Sequence, residues 1–183
     1  MNREQAYALL QKKISNQNMI KHSLAVEECL KELARHFQED EEKWGLAGLL
    51  HDYDYLELVN SPEKHGLVAA EELEKIGLDK EITQAIKAHN EQNGTRRISR
   101  LDKAIHCVDP LTGLIVAAAL ILPSKKINEL TTDSVLNRFE EKRFAAGANR
   151  EIIKRCSEIG LTLKEFTEIC LKAMQKISQE LGL

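Results

Sequence analysis

Apolar residues recur every three or four positions along almost the whole chain, and this spacing restricts the fold more than any other feature. It is the period of an amphipathic helix, whereas no segment alternates apolar and polar residues as a half-buried strand does. Glycine and proline are scarce, with 9 and 3 residues, so interruptions are few. The pattern predicts an all-α helical bundle that forms a single domain over residues 1–183.

Capping residues indicate where the predicted helices begin and end. The predicted helices cover about residues 2–14, 18–37, 40–53, 61–77 and 79–90, with later ones starting at Ser99, Asn149 and Thr162. The helix after Ser99 is expected to bend at Pro110, because the residue before a proline disfavours helical geometry. Between Pro123 and Asn149 the helical signals weaken. We expect a core of about residues 18–122 with the segment of about 123–183 packed on it.

Charge and cysteine usage exclude several functional classes. A formal net charge of -3 gives no global attraction to nucleic acid or to an anionic membrane. The apolar run over residues 111–122 is too short to span a bilayer. No cationic, apolar leader stands at the N-terminus, and the four cysteines form no C-x-x-C pair. These features predict a cytoplasmic protein with reduced cysteines and no nucleic-acid or membrane partner, and they leave the oligomeric state open.

The side of the helix on which each polar residue falls indicates whether it points into the core. His22, for example, stands three residues after Met19 and four before Val26, both of which lie on the apolar stripe. The same test predicts that four further polar residues point inward, namely His51, His65, His89 and Asp109. His36 and His106 each follow an acidic residue by four positions and are predicted to lie on the surface.

Several inward histidines beside inward carboxylates indicate a divalent metal site. A single inward histidine is usually only hydrogen-bonded to a neighbour, but an inward carboxylate costs roughly several kcal/mol unless a cation or donors meet it. His51 and Asp52 are adjacent, so they project about 100° apart on a helix and can hold one ion together. Histidine and carboxylate ligands suit Mn, Fe, Co, Ni, Zn and Mg alike.

Three motifs in order, Ile20-Lys21-His22-Ser23, Gly48-Leu49-Leu50-His51-Asp52 and Val108-Asp109, resemble the HD superfamily of metal-dependent phosphohydrolases. The resemblance implies an all-helical bundle in which His22, His51, Asp52 and Asp109 hold one metal. Some members add two histidines and bind a second ion. His65 and His89 match those positions, and Asp52 would then bridge the two ions.

The resemblance also implies a chemistry. Water activated between two ions would attack the phosphorus of a phosphate ester or anhydride in a nucleotide-like small molecule, and bacterial HD enzymes that split dinucleoside polyphosphates offer a loose comparison. Many members carry a lysine soon after the HD pair, but here none occurs before Lys64. The stretches Asp109–Gly113 and Phe144–Gly147 look like those of a short bacterial subgroup.

Other candidates lie outside the metal ligands. Asp54 is a catalytic candidate that could orient water or protonate the leaving group; its alternative is a solvated loop carboxylate. Arg96 and Arg97 are the nearest basic candidates for substrate phosphate. A later basic cluster is diluted by glutamates and indicates a solvated face; it comprises Arg138, Lys142, Arg143, Arg150, Lys154 and Arg155.

Three functions remain open at this point, one of which is other chemistry on the same metals, such as oxygenation, known in a few relatives by fold. The first is an enzyme that hydrolyses a phosphorylated small molecule. The alternative is a non-catalytic regulatory module that binds a metal or a nucleotide, or whose metal holds the helices together. Six ligands favour the enzyme, because a purely structural site needs only four and leaves no open position.

Overall fold

The computed structural model describes residues 1–183 and contains ten α-helices, several short 3₁₀ turns and no β-strand. The all-α expectation is therefore confirmed. The helices are α1 (Arg3–Lys13), α2 (Gln17–Phe37), α3 (Glu41–Leu50), α4 (Leu67–Lys75), α5 (Lys80–His89), α6 (Arg100–Leu120), α7 (Thr132–Glu140), α8 (Arg150–Lys154), α9 (Leu163–Lys176) and α10 (Ser178–Leu181).

Side-chain caps explain why the helices begin where they do. Asp40 accepts a hydrogen bond from the backbone of α3, and Asp79 does the same for α5, as the sequence predicts. Thr162 forms a capping box at α9. The sequence did not predict α7, because the helical signals after Pro123 are weak. The capping box of α7 pairs Thr131 with Ser134 instead of the usual Glu or Gln.

Helix α6 runs through Pro110 without ending, and a bend at this residue stays a prediction. One predicted helix start is wrong. The helix predicted to start at Pro62 instead starts at Leu67, after a 3₁₀ turn and a left-handed Gly66 with φ of 83°.

The buried apolar side chains form one continuous cluster, with α2 and α6 at its centre. Helices α3 and α9 pack against α2, while α5, α7 and α8 pack against α6. Helix α6 is long and apolar enough to cross a membrane, but 61% of its most apolar window is buried inside the bundle. This burial is typical of a core helix in a globular protein.

The four cysteines are buried and form no disulfide. Burial raises the pKa of the Cys107 thiol to about 12 and that of Cys156 to about 11. These thiols therefore stay protonated and serve as small apolar side chains.

Helices α2 and α3 cross in direct backbone contact, and Gly48 makes this possible. A Cβ at Gly48 would lie 2.8 Å from the backbone nitrogen of Glu27 on α2. The close crossing brings the C-terminal end of α3 beside α2, so that the rings of His22 and His51 lie 5.1 Å apart between their centroids.

Candidate metal centre

The six ligand candidates come from five separate segments that meet at one end of the bundle. His22 lies on α2, and His51 with Asp52 directly follows α3; His65 precedes α4, His89 ends α5 and Asp109 lies midway along α6. The side chain of His51 is fully buried and that of Asp52 is 9% exposed, whereas that of Asp109 is 34% exposed. The cluster is thus closed on the core side and open at Asp109.

The carboxylate of Asp52 lies at the centre and divides the histidines into two pairs. Its Oδ2 atom is 3.6 Å from Nε2 of His22 and 3.4 Å from Nε2 of His51. Its Oδ1 atom is 3.1 Å from Nε2 of His65 and 3.7 Å from Nε2 of His89. Each carboxylate oxygen therefore faces its own pair of imidazole nitrogens.

Asp109 completes the first of these two sets. Its Oδ1 atom lies 3.0 Å from Nε2 of His22 and 3.9 Å from Nε2 of His51. Two groups of potential ligands, His22–His51–Asp109 and His51–Asp52–His89, have their ligand atoms within 4.8 Å of one another. Such spacing lets one cation contact every member of a group.

A hydrogen bond at Nδ1 orients each of the four imidazoles. Nδ1 of His51 lies 2.8 Å from the carbonyl oxygen of Gly48, and Nδ1 of His89 lies 2.6 Å from that of Ile86. Because a carbonyl oxygen only accepts, Nδ1 carries the proton in both rings. In the neutral form of each ring the lone pair is then on Nε2, the atom directed at Asp52, as in metal-binding histidines.

The same orientation holds for the other two histidines. Thr112 donates its hydroxyl proton to the carbonyl of Asp109 at 2.8 Å, so its oxygen accepts from Nδ1 of His22 at 3.2 Å. Nδ1 of His65 lies 2.7 Å from the carboxylate of Asp54. The role of Thr112 escapes the sequence pattern, because a threonine on an apolar helix face carries no signal of its own.

Asp54 is fully buried, so the expectation of a solvated loop carboxylate is wrong. Besides His65, it accepts hydrogen bonds from the backbone N–H groups of Gly66 and Ala69 at 3.0 and 2.7 Å. Gly66 directly precedes α4 and Ala69 lies in its first turn, so Asp54 satisfies free N–H groups at the start of that helix and explains its late start. With both oxygens engaged, Asp54 positions His65 and does not reach the cavity.

The cluster fits a cation and is unfavourable without one. Nε2 of His51 is buried with no hydrogen-bond partner, and Nε2 of His65 lies 3.0 Å from Nε2 of His89. Because Nδ1 is already a donor in both rings, this contact needs a second proton on one Nε2 atom or a metal ion between the two, and either supplies positive charge. Histidine nitrogen and carboxylate oxygen are the ligands of divalent transition metals, so the residues present fit the group.

The shifted pKa values of the cluster also indicate that it favours bound positive charge. Burial acts to lower the pKa of His51, but the charges of Asp52 and Asp109 outweigh it and raise that pKa to about 9. The pKa of His65 is also raised to about 9, because its hydrogen bonds to Asp52 and Asp54 outweigh burial. Burial opposes ionisation of Asp52, yet the charge and hydrogen bonds of the histidines hold its pKa well below the usual value.

A cavity of about 530 Å³ opens over the cluster. His22, Asp52, His65 and Asp109 form its floor, and an apolar wall is formed by Met19, Tyr55, Leu58, Val59 and Pro62. Another cavity of about 490 Å³ lies along α3 and α5, but none of the cluster residues borders it. The cavity over the cluster is therefore the candidate substrate site.

Neither arginine predicted to bind phosphate borders this cavity. Arg97 donates to the carbonyl of Ala88 and contacts Glu91, while Arg96 is exposed and is not among the residues that line the cavity. The loop that carries them folds back against α5, since Gln84 donates to the carbonyl of Arg96. Arg96 and Arg97 are therefore close to His89 in the sequence but do not border the cavity.

His106 is buried, so its predicted surface position is wrong. Its Nδ1 atom lies 2.7 Å from the carbonyl oxygen of His89, and its Nε2 atom lies 3.2 Å from Glu91. Burial lowers the pKa of His106, and the ring therefore stays neutral. It fixes the end of α5, where the backbone of His89 would otherwise lack a partner. His36, by contrast, is exposed as predicted.

Comparison with known proteins agrees with this geometry. The HD domain family model matches residues 19–114. Ribonuclease Y of Lawsonia intracellularis is 30% identical over 139 residues, which are 74% of this chain but 26% of the relative. Ribonuclease Y of Oleidesulfovibrio alaskensis is 29% identical over 140 residues, 75% of this chain and 27% of the relative. The chain thus spans about a quarter of the length of these relatives.

A relative of similar size also exists. An uncharacterised protein of Methanocaldococcus jannaschii is 31% identical over 163 residues, which cover 83% of this chain and 90% of the relative. No solved structure matches the chain. The matched region includes the segments that supply the cluster, from His22 to Asp109. On this evidence the chain belongs to the HD-domain family, whose members are generally metal-dependent phosphohydrolases.

Proposed function

We propose that this protein hydrolyses a phosphate ester or anhydride of a nucleotide-like small molecule with the help of divalent metal ions. The observation that carries the proposal is the position of Asp52, whose two oxygens face two separate pairs of oriented histidine Nε2 atoms. A purely structural site would use one set of ligands and close it. Here the ligands are divided between two sets and one side is open.

The side chains would divide the work as follows. His22, His51 and Asp109 would hold one ion, His65 and His89 the other, with Asp52 between them. Ions held there lower the pKa of water and neutralise charge on phosphoryl oxygens. Asp54 keeps Nε2 of His65 directed at the site through its 2.7 Å contact with Nδ1. Thr112 does the same for His22 at 3.2 Å.

The cavity supports a small-molecule substrate over a nucleic-acid strand. Its volume of about 530 Å³ lies within the usual range of small-ligand pockets. The chain has a net charge of -3, and no Lys or Arg borders the cavity. A nucleic-acid groove would carry clustered basic residues along its length.

The apolar wall offers a place for the organic part of the substrate. Tyr55 is 42% exposed and Val59 is 61% exposed at the rim. An exposed aromatic ring next to aliphatic side chains can stack on a planar base. We therefore propose a nucleotide-like substrate with its phosphate at the metal cluster and its ring on this wall.

The proposal is tested by purifying the protein without chelators, measuring bound metal, and assaying a panel of nucleotides and phosphodiesters with several divalent ions. We expect up to two ions per chain and turnover that chelators abolish. His65→Ala should reduce both the metal content and turnover, while His36→Ala, on the exposed side of α2, should change neither. Full metal occupancy without turnover on any substrate would instead favour the regulatory alternative.

A further inference from the structure

Arg150 differs from every other member of the basic cluster in the C-terminal part of the chain. Arg138, Lys154 and Arg155 form ion pairs with neighbouring glutamates at the surface. Arg150 has no carboxylate within 4 Å; its guanidinium donates to backbone carbonyls of Arg138, Phe139, Glu141, Phe144, Ala145 and Ala148. For Arg150 the expectation of a solvated face is therefore wrong.

These hydrogen bonds fix the conformation of one loop, residues 144–148, which we call the alanine loop. The two shortest well-formed contacts join Nη1 of Arg150 to the carbonyls of Ala145 and Ala148, both at 2.7 Å. Ala145 has a φ of 43°, a left-handed conformation that is unfavourable for a residue with a Cβ. A residue keeps such a conformation when its surroundings determine it, and here Arg150 does so.

The alanine loop borders the metal cluster on its open side. Gly147 lines the same cavity as Asp52 and His65. Residues 145–148 also line an adjoining cavity together with His22 and Asp109. A loop of such small side chains brings its backbone close to anything bound there.

The orientation of the peptide groups leaves free donors on this loop. In a trans peptide the carbonyl and the following N–H point in opposite directions. The carbonyls of Phe144 and Ala145 point at Arg150, so the N–H groups of Ala145 and Ala146 point away from it. Neither N–H donates to any acceptor within the protein. Successive free N–H groups of this kind form anion-binding sites.

The cavity has few other uncharged donors, namely the side-chain amide of Gln92 and the hydroxyl of Tyr55. No Lys or Arg borders it. The side-chain amide of Asn90 is already used by the carbonyls of Pro62 and His65 at 2.7 and 3.1 Å. The histidines are oriented with their lone pairs towards Asp52. A substrate phosphate has more oxygens than the metal cluster can face, and the remaining oxygens require donors elsewhere.

We propose that the alanine loop binds the substrate's phosphate through the N–H groups of Ala145 and Ala146, and that Arg150 is the positioning residue of this site. The inference rests on the proposed function, since it adds the phosphate-binding element to the same cavity. The unpaired positive charge of Arg150 strengthens the site, because it polarises the peptide groups that carry the two donors.

The proposal is tested by titrating the Mn²⁺-loaded protein with inorganic phosphate in a calorimeter. Arg150→Lys keeps the positive charge but cannot reach several carbonyls at once. Gly147→Ala adds a methyl group that meets no protein atom within 4 Å, so the fold accepts it, and the added group lies on a residue that lines the cavity. Arg143→Lys is the matched control, because Arg143 is exposed on the neighbouring turn and makes no side-chain hydrogen bond or ion pair.

We expect Arg150→Lys and Gly147→Ala each to weaken phosphate binding about tenfold, since one or two hydrogen bonds to an anion are lost or lengthened. Metal content should equal that of the wild type in all three variants, and Arg143→Lys should bind phosphate normally. Wild-type phosphate affinity in a folded, fully metal-loaded Gly147→Ala would overturn the proposal, even if Arg150→Lys failed to fold.

The titration is independent of turnover. Weakened phosphate binding in the two variants without turnover by the wild type would keep the phosphate site and remove the hydrolase. Turnover by the wild type together with unchanged phosphate binding in both variants would keep the hydrolase and remove the role of the alanine loop.

Discussion

The charges of Asp52 and Arg150 are satisfied by opposite means. Asp52 is surrounded by side chains, with four imidazole nitrogens between 3.1 and 3.7 Å from its oxygens. Arg150 is surrounded by backbone, with its guanidinium bonded only to carbonyl oxygens. A site built from side chains can be recognised from the residue types in the sequence. A site built from peptide groups can hardly be recognised in this way, because every residue has a peptide group.

The two regions also differ in what remains unsatisfied. Around Asp52 the free groups are histidine lone pairs, which require a cation. Around Arg150 the free groups are the N–H groups of Ala145 and Ala146, which require an anion. A phosphate group held by metal ions on one side and by amides on the other would satisfy both regions together.

The largest effect should come from the centre of the side-chain network. Asp52→Asn removes the charge that faces both histidine pairs, and an amide cannot bridge two cations. We expect turnover to fall by at least about a hundredfold, as for loss of a group that stabilises charge in the transition state. Initial rates and metal analysis would check this, with the exposed Asp133→Asn as the control. Near-normal rates would show that Asp52 is not central.

A smaller effect is expected at Asp54, which contacts the candidate ligand His65 but is not itself a candidate metal ligand. Asp54→Asn replaces the acceptor of the His65 Nδ1 proton and places an amide against the backbone donors of Gly66 and Ala69. Loss of such an orienting partner usually costs about 10- to 100-fold in metal affinity. Competition with a chelator would measure the change. Unaltered affinity would mean that backbone packing alone orients His65.

Gly48 tests whether the side-chain network depends on the crossing of α2 and α3. Gly48→Ala places a Cβ 2.8 Å from a backbone nitrogen of α2, so the helices must separate. Overpacking of this kind costs about 1–3 kcal/mol. Thermal or urea unfolding would report the loss, and Gly113→Ala, which meets no atom within 4 Å, should show none.

The smallest effect should come from the backbone-built region. Ala145→Gly removes the steric cost of the left-handed conformation, with its φ of 43°, but it raises the conformational entropy of the unfolded chain. These terms oppose each other, so we expect stability to change by less than about 1 kcal/mol. Unfolding curves would measure it. A loss well above that value would show that the Ala145 methyl packs in a way that the loop requires.

The sequence predicted the helices wherever caps and periodicity coincide, as at Asp40, Asp79 and Thr162. It missed α7, whose cap uses Ser134 in place of an acidic residue or glutamine. The sequence pattern predicted a surface position for His106, because an acidic residue stands one helical turn before it. That carboxylate, Asp102, is itself buried and caps α6.

What the sequence determined by itself is the inventory of the centre: histidines and aspartates that the apolar pattern turns inward, where an unmet charge is too costly to persist. Only the tertiary structure decided which other groups serve the site. Asp54 turned out to orient His65, Arg96 and Arg97 fell outside the cavity, and Arg150 fixed a loop of alanines beside Asp109. The physical reason is that helical faces follow from a period along one segment, whereas hydrogen bonds between segments depend on how those segments cross.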